Sequence, residues 1–242
     1  MTETHWPVLE LRHYTLRPDT RDIMVELFDR ELLDPQEALG ARILGQFRDE
    51  DDPNRWVWLR AFTTMASRLE VLKGFYLESE TWRTHAAAAR ATMVDTSDVL
   101  LLRPLPGAEL PMLDTRPGRE ATALPPGRLQ ATVYHPDVPI DEFADFFDHG
   151  MVPVLRSVGI EPLGRYETEP APNDFSQLPI REGETVFVWF TRFRDADERV
   201  RKLTALSRNP LWRNDIRPHL DKLLATSEAV LRLAPTARSA LR

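Results

Sequence analysis

The chain of 242 residues has no cysteine, which excludes disulfides, thiol nucleophiles and thiolate metal sites and fits a reducing compartment. It has no apolar run long enough to span a bilayer, and Met1 to Pro7 carries neither the basic start nor the apolar stretch of a secretory signal. The expectation is a cytoplasmic protein without membrane contact. Positive charge is the minority sign, with 31 Lys and Arg against 38 Asp and Glu and a net charge of −7. Affinity for a phosphate backbone is therefore not expected, and nucleic acid is set aside as a partner. Only 10 glycines are present, and none forms a phosphate-binding loop, a dinucleotide fingerprint or a nucleophile elbow. The histidines, among them His13, His85, His135, His149 and His219, are scattered and form no HExxH or other close ligand pair. No metal and no other cofactor is expected.

What is present is a repeat. Val57-Trp58-Leu59-Arg60-Ala61-Phe62 leads into a run with Arg68, Leu72 and Trp82-Arg83, and Val188-Trp189-Phe190-Thr191-Arg192-Phe193 leads into one with Arg199, Leu203 and Trp212-Arg213. Trp58 and Trp189 lie 131 residues apart, whereas Gly40 and Gly159, like Gly45 and Gly164, lie 119 apart. The difference of 12 places an insertion between the second and third strands of the later copy. Its prolines Pro170, Pro172 and Pro179 predict an irregular flap from Glu169 to Glu184 at a barrel mouth.

Alternating residues from Val8 to Arg17 predict a strand, and a helix follows from Thr20 to Leu39, bent at Pro35 and closed by Gly40. Ile43–Arg48 and Trp56–Phe62 make a hairpin, Met65 to about Met93 reads as helix, and Val99–Arg103 is a short strand. The order βαββαβ is the ferredoxin-like arrangement, and the later copy repeats it. The predicted organisation is a first domain over 1–104, a Pro/Gly-rich linker over 105–127, a second domain over 128–236 and a tail over 237–242.

Glu10 to Leu16, the stretch EALGARILGQFRDEDDPNRWVWLRAF and the stretch FYLESETWRTHAAAARATMVDTSDVLLLRP resemble the NIPSNAP family of the dimeric α/β-barrel superfamily. Against the family pattern, Ala61 stands where Gly is usual, Arg90 where Asn is usual, and Thr96-Ser97 where Ser-Asp is usual. The resemblance implies an α+β fold of tandem ferredoxin-like domains whose antiparallel sheets form a dimeric α/β-barrel type arrangement. The sheets would face each other across a small-molecule cavity, within one chain or, in a homodimer, between chains. A haem-binding relative would place an axial ligand near His219, with no other haem signature here.

Strand parity narrows the candidates. Glu10, Arg12 and Tyr14 share one face of the first strand, and Trp56, Trp58, Arg60 and Phe62 share one face of the third. The matched positions of the second copy are Gln130, Thr132 and Tyr134, then Phe187, Trp189, Thr191 and Phe193. Assigning Leu9, Leu11, Val57, Leu59 and Ala61 to the helix-covered side puts the aromatic and polar face in a space between the two sheets. On that reading Glu10, Arg12, Tyr14 and Arg60 are the candidate catalytic residues, with Glu10 as base or orienting group, the arginines stabilising an enolate or carboxylate, and Tyr14 donating a proton. Trp58, Phe62, Tyr134, Trp189 and Thr191 would contact the substrate. The alternative is an ion-pair network that only joins two sheets. Function is thus expected to be binding of a small, largely apolar organic molecule, with or without cofactor-free proton transfer, oxygenation or rearrangement; the other reading is a non-catalytic binding or protein-interaction module.

Overall fold

The computed structural model describes residues 5–111 and 115–242; the expectations at Met1 to Thr4 and at linker residues 112–114 lie outside this range. The first unit runs β1 (Val8–Leu16), α1 (Arg21–Leu27), a π-helical turn (Phe28–Leu32), α2 (Leu33–Ala38), β2 (Arg42–Asp49), β3 (Arg55–Phe62), α3 (Met65–Lys73), a π-helical turn (Gly74–Glu78), α4 (Glu80–Thr92) and β4 (Met93–Pro104). The second runs β5 (Arg128–Tyr134), α5 (Ile140–Phe146), a π-helical turn (Phe147–Met151), α6 (Val152–Ser157), β6 (Pro162–Thr168), β7 (Phe187–Phe193), α7 (Ala196–Arg208), a π-helical turn (Trp212–Ile216), α8 (Arg217–Leu223) and β8 (Ala229–Pro235).

All eight strands close into one barrel in the order β1-β3-β2-β8-β5-β7-β6-β4. The seams between the units are the antiparallel pairs β2–β8 and β4–β6, so the two repeats pair within this one chain. Glycine at repeat-matched positions serves the backbone. Gly40 and Gly159 both take positive φ, +104° and +76°, where the helix gives way to the strand. Gly45 and Gly164 both follow a register shift against the neighbouring strand.

The expected assignment of strand faces is reversed. Leu9, Leu11, Val57, Leu59 and Ala61 point into the barrel, where they meet Leu129, Ala131, Val133, Val188 and Phe190 of the other unit in a shared core. Eight strands leave an interior just wide enough for side chains to fill, and Leu, Val and Ala fill it. The space between the sheets is thus mostly aliphatic core. The bulkier face, with Tyr14, Trp56, Trp58 and Phe62, turns outward beneath the helices of the first unit and packs on Met24, Phe28, Leu32, Leu72 and Phe75.

Two predicted elements also differ. The helix from Met65 breaks at Ser79, which is extended (ψ 134°) and caps α4 by accepting from the Trp82 N–H. The fourth strand starts at Met93 rather than Val99, because Asp95 and Asp98 pair with β1 despite their polarity. The chain end beyond β8 is tightly held: Thr236 and Ser239 are fully buried, and backbone hydrogen bonds tie Thr236 to Gln46 and Leu241 to Leu44.

Candidate functional site

Glu10 on β1 sits opposite Arg60 on β3 in the strand register, and α3 delivers Arg68 from above. A capping box between Thr64 and Ser67 fixes the start of α3, and so fixes Arg68 one residue on. Arg60 donates to Glu10 Oε2 from Nε at 2.9 Å and Nη2 at 2.6 Å, and Arg12 Nη1 donates to the same oxygen at 2.9 Å. Arg68 Nε donates to Oε1 at 2.8 Å. Arg60 continues to Gln36 Oε1 at 2.7 Å, and Gln36 in turn donates to the Leu32 carbonyl. Glu10, Arg12, Arg60 and Arg68 are all fully buried.

Burial alone pushes the Glu10 carboxyl up, but attraction to Arg60, Arg12 and Arg68 outweighs it and holds the group well below the usual carboxylate range. An oxygen pair so engaged makes a poor base; its chemistry is to orient three guanidinium groups. Arg12 spends Nε on the Tyr14 hydroxyl at 3.1 Å, and burial raises the Tyr14 pKa against the opposing pull of Arg12. Tyr14 is thereby a neutral hydroxyl whose oxygen accepts from Arg12 and whose own hydrogen is free to donate.

Beside this network lies a cavity of ≈ 190 Å³ between β1, β3 and the helices of the first unit, with Tyr14, Trp56 and Trp58 on its sheet side and Met24, Phe28, Leu32 and Phe75 on its helix side. Arg90 and Thr96, two of the positions that depart from the family pattern, also line it. The flap closes it. Phe175, Gln177 and Leu178 of the β6–β7 loop line the cavity, and Arg68 pairs with Asp174 and donates to Asn173 Oδ1 at 3.2 Å. The predicted flap therefore belongs to the second unit and covers a pocket of the first.

The second unit shows the same frame filled in. Tyr134 and Trp189 do not approach the first site; they pack with Phe143, Phe147 and Phe187 under their own helices, and Thr191 Oγ1 donates to the Glu161 carbonyl. Phe62 stacks under Arg60 without lining the cavity. At the 119-residue offset that relates the two π-helical turns, Met24 corresponds to Phe143 and Gln36 to Leu155. A ring replaces a thioether and an alkyl group replaces an amide. Phe143 lies 5.1 Å from Phe187 and 5.4 Å from Tyr134, ring to ring, where the first unit keeps open space. Arg199, the counterpart of Arg68, reaches across to Glu50 in the short β2–β3 turn. Both long-helix arginines thus grip the strand-connecting loop of the opposite unit, and only the inserted one is long enough to be a lid.

Sequence reasoning placed Arg68 only in the repeat and left Gln36, Tyr76 and the lid side chains out of the site. The signal available was Arg68 itself, a guanidinium one turn into a helix that packs on Glu10's face of the sheet. Among the described residues no group of three His, Asp or Glu side chains is placed to hold a metal. His219 is exposed, with its ring against Phe146. No described helix is long and apolar enough to cross a membrane.

A closed barrel made of two ferredoxin-like units defines a dimeric α/β-barrel protein with the pair fused in one chain. Residues 9–108 match the NIPSNAP family model. None of the curated proteins matches the chain. Among solved structures it is similar in fold to an anthrone oxidase-like protein, with 12% identity, TM-score 0.59 and coverage of 98% of this chain and 95% of that one. It is likewise similar to a monooxygenase-like protein from Lactobacillus acidophilus, with 11% identity, TM-score 0.57 and coverage of 98% and 99%. A NIPSNAP family protein from Agrobacterium tumefaciens covers 43% of this chain and 98% of its own, at 17% identity and TM-score 0.39.

Proposed function

We propose that this chain binds a small, largely apolar organic molecule in the cavity of its first unit, beneath the lid supplied by the second. The observation that carries this reading is the asymmetry of the duplication: the matched space is solid in one unit and hollow in the other, and the loop insertion sits over the hollow one. A fold that needed only packing would have no use for Met24 where its own second copy fills the gap with Phe143. Lining residues such as Phe28, Phe75, Trp82 and Leu178 supply apolar walls, and Tyr14, Gln36 and Tyr76 supply a few polar groups, the composition of a ligand site.

The catalytic version of this reading uses the same residues without a cofactor. Tyr14 is the proton donor, Arg12 holds its oxygen and stabilises the charge left on it, and Glu10 and Arg60 act as positioning residues. Proton transfer, oxygenation and rearrangement all fall within reach of such a donor in a partly enclosed pocket; the names of the fold relatives do not choose among them, because fold alone does not carry chemistry. The non-catalytic version keeps the binding and omits the proton transfer.

Native mass spectrometry after incubation with a metabolite extract tests the binding. The wild-type protein should retain a small molecule, and Met24→Phe, which imports the second unit's own residue, should lose it while remaining folded. Equal retention by both proteins would place the ligand elsewhere. A retained molecule that leaves with a changed mass, or with the same mass but a changed chromatographic retention or fragmentation pattern, supports catalysis; one that leaves unchanged in all of these supports binding alone.

A further inference from the structure

We propose that the cavity takes a one-ring organic acid, whose oxyanion is received by the Tyr14 hydroxyl and the indole N–H groups of Trp56 and Trp58. This rests on the binding reading above and names the class of ligand.

The wall is rich in hydrogen-bond donors that have nothing to donate to. The Nε1 atoms of Trp56 and Trp58 are buried without a hydrogen-bond partner in the protein, and both side chains line the cavity. A buried donor left unpaired is costly; the second unit leaves Trp189 Nε1 so by itself, whereas the wall of this cavity keeps two such donors side by side, placed for one acceptor. Tyr14 lies with its ring 5.6 Å and 5.9 Å from those of Trp56 and Trp58, and its hydroxyl, accepting from Arg12, has its hydrogen to give. Three side chains that carry donors therefore line one wall.

Charge decides between a neutral acceptor and an anion. Among the described residues no Asp or Glu lines the cavity, and Arg90 does. Behind the wall Arg12, Arg60 and Arg68 face only Glu10 and, at the lid, Asp174, so three cations meet two anions. Arg12 Nη2 is buried with no partner at all. Away from water an excess positive charge favours an anion more strongly than it favours a carbonyl dipole.

Size sets the rest of the molecule. A cavity of ≈ 190 Å³ compares with about 150 Å³ for one that admits benzene, and falls short of the roughly 300–1,000 Å³ typical of larger ligands. One ring with a short acidic substituent fits, its flat faces against Phe28, Phe75 and Phe175.

Isothermal titration at low ionic strength with benzoate, benzamide and toluene tests this. Benzoate should bind at least tenfold more tightly than either neutral probe. Tyr14→Phe, which keeps the ring and the packing, should weaken benzoate about tenfold and leave toluene within twofold. If benzamide or toluene binds as well as benzoate, the acid assignment is overturned and the cavity reading survives. Benzoate binding that persists unchanged in Met24→Phe lies outside the cavity and overturns the proposal. If none of the three probes binds, the acid assignment is overturned, and the binding reading is judged separately by the mass spectrometry of wild type against Met24→Phe.

Discussion

Glu10 is the residue on which three arginines depend, and its neutral isostere shows how much. In Glu10→Gln the side chain keeps its shape, but Arg12, Arg60 and Arg68 lose the shared charge that allows them to be buried together. Breaking a buried ion pair from one side costs about 3–5 kcal/mol. Chemical denaturation at neutral pH should show a loss of this order; a loss under about 1 kcal/mol would mean that the arginines find other partners. Since the folded-state pKa of Glu10 lies below its unfolded value, its stabilisation is present above the unfolded pKa and is lost as the pH falls through the acid range.

Asp29 behaves in the opposite sense. It lies in the first π-helical turn, its Oδ1 is buried without a hydrogen-bond partner, and burial pushes its pKa up from 3.8 to about 6. The folded state then holds the proton more tightly than the unfolded chain. Between about pH 4 and 6 this group's contribution to stability falls as the pH rises, and above 6 its buried charge is a net cost. Asp29→Asn should therefore stabilise the protein at pH 7.5 by on the order of 1–3 kcal/mol and lose that advantage by pH 4. An equal difference between variant and wild type at both pH values would show that Asp29 does not titrate on unfolding.

At the scale of elements, the irregularity in β2 is where the backbone leaves least room. A Cβ at Gly45 would stand 2.4 Å from the buried Phe47 ring and 2.8 Å from Ser239 Oγ. Neither neighbour has space to retreat, since both are fully buried. Gly45→Ala should cost about 1–3 kcal/mol in thermal or denaturant unfolding; a neutral substitution would mean that β2 and the chain end are looser than their packing.

The same elements show what the sequence made legible. Gly40 and Gly159, and Gly45 and Gly164, kept their spacing because a helix end and a bulge each constrain the backbone, and so the repeat and the strand order could be read. Parity groups Glu10 with Arg12 and Tyr14 for an equally firm reason, the two-residue period of a strand. Which face turns inward is another matter. In β1 both faces are buried, so burial pattern could not distinguish Leu9 and Leu11 from Glu10 and Arg12; only the narrowness of the closed barrel does. The contacts that complete the site run between distant positions, Glu10 to Arg68 and Arg68 to Asp174, and no local spacing encodes them. Met24 against Phe143 was visible as a difference between copies, but its meaning depends on knowing that both lie under a helix.

For the whole molecule, the closure of the barrel within one chain binds the two units into one folding problem. The inner face of each sheet is covered by the other, and the strand edges at β2 and β4 are used by β8 and β6. Residues 1–104 expressed alone would expose both edges and an aliphatic face, and should self-associate; light scattering that shows a stable, soluble monomer would contradict the shared core. Division of labour follows from the same closure. One unit keeps the hollow and the donors, the other contributes the lid and a solid core, and neither has the complete site.

Diffraction from crystals under xenon pressure tests that division most directly, because xenon settles in apolar cavities without needing the natural ligand. A xenon site bounded by Phe28, Leu32, Trp58 and Phe175, with none between β7 and the helices of the second unit, is the predicted result. Xenon in both units alike, or in neither, would contradict the claim that one half of this barrel is built to hold a small molecule and the other to close over it.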